Sequence, residues 1–374
     1  MPTNLSQNKI GAFPSQFIRE IVKSGEMINA DEKNIQPASI DLSVSEEGYR
    51  MKGAFLPRKD ESVREIIKEE SLYKIDLNNP LEKNGIYLIK LKESLNLPEN
   101  IFAFSSSKSS VGRVDLQTRL IVDGYSRFDS IPVGYKGELW LQVIPKSFLI
   151  KLNFEDKLNQ IRFFNGEAKI GGQEIEKIYS EQKLLFNKNL ELANPGEKIS
   201  RDSNGGIVMN INLAGENNNI VGYKNLLIDC VLDFSKRDYY NQGDFFEPIY
   251  APKNGKLILE KESFYIFSTK EYIRIPGNLA SEMIAYDIYN GEFRSHYAGF
   301  FDPGFGYGKN GEIKGRQAVL GIRSYENNFI FRDDQPICRM NFEKLIEPAD
   351  FVYGEEIGSH YADQSGAKLS KYFK

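Results

Sequence analysis

Within six residues, Lys108-Ser109-Ser110-Val111-Gly112-Arg113 brings together two hydroxyls, a glycine and two flanking cations. Such a run suits wrapping a polyphosphate, because backbone N–H groups and hydroxyls donate to phosphate oxygens while the cations offset their charge. The same composition also makes a polar, Ser-rich turn between strands, so the surrounding chain has to decide. An Asp-centred turn, FDSIPVGYKG around Asp129, begins shortly after Arg113, and a second, FFDPGFGYG, surrounds Asp302.

At 374 residues the chain is long enough for two domains, each with its own core. A hydrophobic content of 41% with 27% charged residues is ordinary for a globular protein. The formal net charge of −4 and a pI near 5.6 argue against a general nucleic-acid or membrane-surface binder. The opening MPTNLSQNKIGAF has no apolar core of a signal peptide, and no run approaches a membrane span, so a cytoplasmic protein is expected. The two cysteines, Cys230 and Cys338, exclude a disulfide framework and fit a reducing compartment. With only His296 and His360 and no C-x-x-C or H-x-E, the ligands for a zinc-activated water are missing. Cys230, inside the apolar run Leu226–Leu232, reads as a core residue.

The elements that must position these residues are mostly strands. SQFIREIVK (Ser15–Lys23) reads as a short amphipathic helix and ESVREIIKEE (Glu61–Glu70) as an exposed one. Elsewhere short apolar runs are punctuated by Gly, Pro and Asn: Gly85–Leu91, Glu138–Ile144, Phe148–Asn153, Gly206–Leu213, Lys256–Leu259 and Ser263–Ser268. Many short strands at regular spacing predict a mainly β protein, a sandwich or barrel. The layout occurs twice. The strand–break–strand segment around Pro98 returns around Pro276, 178 residues on, and Gln160-Ile161-Arg162-Phe163 is echoed 179 residues on by Arg339-Met340-Asn341-Phe342. Between these markers each half carries its Asp-centred turn, which points to duplication. The domains expected are residues 1–170 and 205–374, joined by a charged connection over 171–204 that accommodates a short helix.

With these motifs assembled, the chain resembles the dCTP deaminase/dUTPase superfamily, in particular its double-length bacterial dCTP deaminase type. Ile35-Gln36-Pro37-Ala38-Ser39-Ile40-Asp41-Leu42 is similar to the family's early Q-P-A-S-x-D-L strand. Lys108–Arg113 is similar to its phosphate-binding R-S-S-L-G-R, with Lys for the leading Arg. The segment from His296 through Ala298 to Asp302-Pro303-Gly304 resembles the nucleoside-binding hairpin that ends in I-D-P-G. Tyr353-Gly354 through His360-Tyr361 to Gln364 and Lys368-Leu369-Ser370 resembles the C-terminal lid. The resemblance implies two tandem dUTPase-like distorted β-barrels of jelly-roll type with a few short helices. It also implies a homo-oligomer, or a pseudo-oligomer made by the tandem repeats, with sites between units. The implied substrate is a deoxypyrimidine nucleoside triphosphate carrying Mg²⁺, with no metal held by the protein itself.

The resemblance assigns substrate contacts to Lys108, Ser109, Ser110, Gly112, Arg113, Asp129, Ala298, Gln160, Tyr353, His360, Tyr361 and Gln364. The cradle survives in the first half, whereas the matching part of the second reads Tyr286-Asp287-Ile288-Tyr289-Asn290-Gly291. The fuller hairpin and the lid belong to the second half. A composite site is therefore expected, with cradle Lys108–Arg113 facing hairpin Ala298–Gly304. Asp302 either accepts from the deoxyribose 3′-hydroxyl or closes an Asx-turn, and Asp129 has the same two readings. The lid residues either cover the nucleotide or form a polar tail. His360 stands where the family has Lys and would meet phosphate in a pH-dependent way.

The family's proton shuttle is a glutamate on the strand after the hairpin, where a positioned carboxylate serves as general acid and base. Here that place reads Gln142 in the first half and Gly321 in the second, and neither side chain accepts a proton. Glu138 shares a strand face with Gln142 but lies roughly 13 Å away, so only a register shift would bring it in. Glu138, Gln142 and Asp302 are the candidates for the chemistry. The expected function is hydrolytic deamination of dCTP to dUTP and ammonia for dUMP and dTTP supply. The alternatives are a dUTP pyrophosphatase, with Asp129 or Asp302 orienting water, and a catalytically inactive deoxynucleotide sensor.

Overall fold

The computed structural model describes residues 9–193, 206–215, 219–285, 293–296, 299–325, 327–354 and 366–374, with main chain alone at 285 and 293–296. The chain is mainly β and barrel-like. In the first half, one sheet runs in the order Leu116–Ile121, Lys136–Pro145, Tyr87–Asn96, Ile40–Met51, Lys157–Asn165, Ile101–Ser107 and Ser130–Ile131. In the second, Pro336–Lys344 pairs with Leu279–Ala285 and Ile207–Asn210, and a further sheet joins Ile220–Asn225, Phe264–Ile273, Arg316–Ser324 and Phe293–His296.

Corresponding residues do the same work in both halves. Along Tyr87–Asn96, alternate residues Tyr87, Ile89, Leu91, Glu93 and Leu95 are buried, as one sheet face over a core requires. The odd member, Glu93, accepts from the Ser43 amide at 2.9 Å. Its counterpart 178 residues on, Glu271, accepts from the Asn210 amide at 2.9 Å. The Tyr87 hydroxyl accepts from the Glu82 amide, and Tyr265 repeats this with Glu260.

Register corrects the pairing of the two Asp turns. Ala103 lies opposite Ile131, and its counterpart Ser281 lies opposite Phe301. Leu97 donates to Tyr135 O just as Ile275 donates to Phe305 O. Pro132, not Asp129, is therefore the counterpart of Asp302. In sequence the mismatch is hidden because the first half has the longer loop before the turn and the second half the longer loop after it.

Two helices settle differently from one another. Ser15–Lys23 is a helix with Phe17, Ile18 and Ile21 buried, as its pattern predicts. The second spans Val63–Glu70 and is not merely exposed: Val63, Ile66 and Ile67 pack on Leu88, Ile121 and Trp140. Its start is fixed by a capping box in which Ser62 and Glu65 satisfy each other's amides. The charged run after Gly171 forms a helix, Gly172–Gln182, whose Ile175, Ile178 and Tyr179 enter the second core. Among the described residues no helix is long and apolar enough to cross a membrane. Cys338 is fully buried in the second core, whereas Cys230 is half-buried at the edge of the first. Its run is less interior than its composition suggests, since Leu227 is 80% exposed.

The halves share a core. Leu232, Phe234, Phe245, Phe246, Phe264 and Ile266 from the second half pack into the first. The last residues do so too, with Leu369, Tyr372 and Phe373 buried and Tyr372 stacked on Phe234 at 4.6 Å. Truncating a buried aromatic leaves a cavity, so Tyr372→Ala is expected to cost about 3–5 kcal/mol, read as a lower urea midpoint at unchanged m-value.

Candidate nucleotide site

The strand Ile101–Ser107 ends in a single helical turn, Ser109–Gly112, with Lys108 extended at its start. Lys108 is fixed by its amide, which donates to Leu158 O at 2.9 Å, and by an ion pair with Asp41. The other Asp41 carboxylate oxygen is buried without a hydrogen-bond partner among the described residues. The hairpin of the second half lies against this turn. A Cβ placed on Gly299 would stand 3.4 Å from Ser107 O and 3.8 Å from Ser109 Oγ. The chain terminus covers the other side: Arg113 Nη1 donates to Lys368 O at 2.8 Å, and Ser370 Oγ donates to Ser110 O at 2.7 Å. Burial, together with nearby Arg237 and Lys108, lowers the Lys371 ammonium to about 8. Cations thus converge on the cradle from both halves.

Arg162 joins the hairpin to the first half. Its side chain is wholly buried, and all five N–H donors of the guanidinium are matched. Nε donates to Ala38 O at 3.1 Å, and Nη1 to Ser281 O at 3.2 Å and Glu343 at 2.7 Å. Nη2 donates to Phe301 O at 3.4 Å and Asp302 Oδ1 at 3.2 Å. The Phe300 ring lies 4.2 Å beneath it. Burial raises the carboxyls of both Asp302 and Glu343, and Arg162 opposes the rise. The Ser39 hydroxyl reaches Asp302 only at 3.4–3.5 Å, long for O–H···O, so the carboxylate keeps acceptor capacity. Gly304, at φ +92°, permits the turn that follows, since a Cβ there would meet Val352 at 2.6 Å. Tyr353 N donates to Pro303 O at 2.8 Å, and the Tyr353 ring lines a pocket with Phe305, Lys309, Glu312 and Arg316 on the second half.

The general-base positions correspond as the sequence suggests: Leu88 pairs with Gln142 as its counterpart Ile266 pairs with Gly321. Gln142 is buried on the Trp140 face, beneath the helix Val63–Glu70, and its side-chain oxygen has no partner among the described residues. Gly321 lies on the Val319 and Arg323 face, which meets the first half; Arg323 pairs there with Asp115. His296 sits directly across from Gly321 in the neighbouring strand. The pairing with Tyr87–Asn96 does shift register, between Lys90 opposite Trp140 and Ser94 opposite Glu138, but Gln142 keeps its place opposite Leu88 and Glu138 stays tied to Arg64 and Lys90. Pairing against Leu116–Ile121 runs unbroken from Pro145 to Trp140, and Glu138 lies beyond it. Burial raises the Glu138 carboxyl, but bonds from Arg64 and Lys90 outweigh this and hold it low, which makes it a poor proton acceptor.

The fold thus brings Lys108, Ser109, Ser110, Gly112, Arg113, Gln160 and Asp302 together, with Gln160 accepting from Ser39 at 3.4 Å. It leaves Glu138 and Gln142 apart from the cradle, and holds Tyr353 on the second half beside Pro303, the residue after Asp302. Asp129 is a turn lock: its carboxylate takes Arg119 at 2.7 Å and the Leu120 amide at 2.8 Å. Ala298, His360, Tyr361 and Gln364 lie outside the described residues. Ser39, Asp41 and Arg162 are functional neighbours that the sequence does not single out, although all three stand inside the motifs above; an arginine within the apolar run Ile161–Phe164 is the available signal.

Comparison with known proteins bears on this geometry. Residues 9–167 match the family described as 2′-deoxycytidine 5′-triphosphate deaminase (DCD) N-terminal domain, and residues 172–373 match its C-terminal domain. A crystal structure of 2′-deoxycytidine 5′-triphosphate deaminase from Agrobacterium tumefaciens superposes with a TM-score of 0.82 at 33% identity, covering 90% of this chain and 100% of that one. A "dCTP deaminase, dUMP-forming" of Halobacterium salinarum is 30% identical over 31% of this chain and 56% of its own length. A "dCTP deaminase" of Haloarcula marismortui is 29% identical over 34% of this chain and 63% of its own length.

Glu282, whose register partner is Phe300, is raised to about 7 by burial and by Glu343, against the pull of Arg162; Asp129 adds to the rise and Lys169 opposes it. A raised carboxyl means the folded chain holds a proton that the unfolded chain has lost. Its contribution is therefore full below about pH 4.5 and disappears as pH climbs through about 7. Glu282→Gln should flatten the fall in unfolding free energy between pH 5 and pH 8 by up to about 3 kcal/mol, measured by urea titration at both pH values.

Proposed function

Because the chain belongs to the 2′-deoxycytidine 5′-triphosphate deaminase family, we propose that it binds dCTP across the junction of its halves and hydrolyses the 4-amino group, releasing ammonia and dUTP. The observation that carries this reading is the close approach of the Gly299 backbone to Ser107 and Ser109, near enough that a Cβ would fill the gap, with Asp302 of one half beside Ser39 and Lys108 of the other. In this reading the Ser109 and Ser110 hydroxyls donate to the triphosphate, while the Gly112 N–H is spent on Lys108 O and holds the turn in shape. Lys108, Arg113 and Lys371 offset its charge, and Mg²⁺ arrives with the nucleotide as part of the substrate. Asp302 accepts from the deoxyribose 3′-hydroxyl. The reading also assigns nucleotide contacts to His360, Tyr361 and Gln364. The reading includes a cytoplasmic protein whose intrachain junction does the work of a subunit interface.

Deamination needs a group that takes a proton from water and delivers protons to the ring nitrogen and the leaving ammonia. Gln142 and Gly321 occupy the places where such a carboxylate is expected, and this favours a second reading in which the nucleotide is bound tightly without turnover. The relative whose name specifies dUMP formation makes pyrophosphate a third product to follow.

Purified protein with Mg²⁺ and dCTP or dUTP separates these outcomes when ammonia, uracil nucleotide and pyrophosphate are followed together. Ammonia from dCTP is the expected result, and binding without any product establishes the sensor instead. Pyrophosphate from dUTP alone identifies a pyrophosphatase. Arg113→Ala and Asp302→Ala should each weaken dCTP binding at least about tenfold, as for loss of a charged hydrogen bond. Undiminished affinity in either variant contradicts the composite site.

A further inference from the structure

We infer that Arg162 is a positioning residue for sugar recognition, fixing the Asp302 carboxylate across the junction so that selectivity for a 3′-hydroxyl is set by the half that does not carry Asp302. The inference rests on the proposed role of Asp302 and extends it to a residue that itself touches no substrate. Asp302 is held through one oxygen, Oδ1, by Arg162 Nη2 at 3.2 Å. Among the described residues Oδ2 meets only Ser39, at a long 3.4 Å, which leaves it able to accept a hydroxyl. The guanidinium cannot swing away to follow the carboxylate. Its other donors are taken by Ala38 O, Ser281 O, Phe301 O and Glu343, and Phe300 closes one of its faces. A planar fork so bound defines a direction as well as a charge, which a lysine ammonium does not.

The arrangement runs one way only. Arg162 lies opposite Phe104, and Asn341 lies opposite Glu282, the counterpart of Phe104. Asn341 is thus the counterpart of Arg162, as Pro132 is of Asp302. The reciprocal junction has neither the cation nor the carboxylate, so a single Arg162–Asp302 pair serves each chain.

The test compares affinity for dCTP with affinity for 2′,3′-dideoxycytidine triphosphate, both with Mg²⁺, by calorimetry on the full chain. Wild-type protein should prefer dCTP by roughly ten- to hundredfold, the value of a hydrogen bond to a charged acceptor. Arg162→Lys should weaken dCTP while leaving the dideoxy analogue nearly unchanged, collapsing the ratio toward one. Phe300→Leu keeps every charge and most of the volume, and it should lower the ratio several-fold even if Arg162→Lys does not fold. Equal weakening of both nucleotides in these variants, or a ratio unchanged from wild type, overturns the inference. A wild-type protein that binds both nucleotides equally refutes the sugar-acceptor role of Asp302, and the inference with it. Loss of binding for both nucleotides in wild type refutes the proposed nucleotide site as a whole.

Discussion

The junction of the two halves is organised around one buried guanidinium. A charge without solvent costs several kcal/mol unless it is paired and fully hydrogen-bonded, and Arg162 meets that condition only when both halves are present. Ala38 comes from the first half, whereas Ser281, Phe301, Asp302 and Glu343 come from the second. Neither half alone satisfies the five donors. Apolar residues of similar volume often hold such an interface as well as a buried ion pair does; what the guanidinium adds is direction, since its five donors fit acceptors from both halves in one geometry. That geometry carries the hairpin to the cradle, and everything said of the site follows from it.

The two halves share a strand plan and have diverged where the junction needs them to differ. The face of Arg316–Ser324 that carries Val319, Gly321 and Arg323 meets the first half. The corresponding face of Lys136–Pro145 carries Trp140 and Gln142 and is covered by the helix Val63–Glu70. The Arg64 guanidinium lies 4.9 Å over the Trp140 ring and binds Glu138 at the same time. One face is thus an interface and its counterpart is sealed within its own half. The C-terminus secures the same asymmetry by crossing back to bury Tyr372 and Phe373 in the first core.

Much of this was legible in the sequence, because local pattern and repeat spacing survive wherever strands are regular. The helix Ser15–Lys23 and the strands around Tyr87 and Phe264 follow their periodicity. The correspondence of Gln142 with Gly321 emerges from both spacing and register. The Asp turns were mismatched because loop lengths on either side of the hairpin compensate, and an offset cannot separate Asp129 from Pro132. Glu138 looked available because a sequence does not reveal that Arg64, on a distant helix, claims its carboxylate. In sequence Arg162 is no more than a repeat marker, since its value comes from acceptors more than a hundred residues away along the chain.

The most direct test is a crystal structure of the full chain with dCTP and Mg²⁺. The account predicts one nucleotide per chain, its triphosphate at Ser109 and Ser110 and its 3′-hydroxyl on Asp302, with contacts from both halves. A nucleotide held within a single half, or one whose sugar lies away from Asp302, contradicts it.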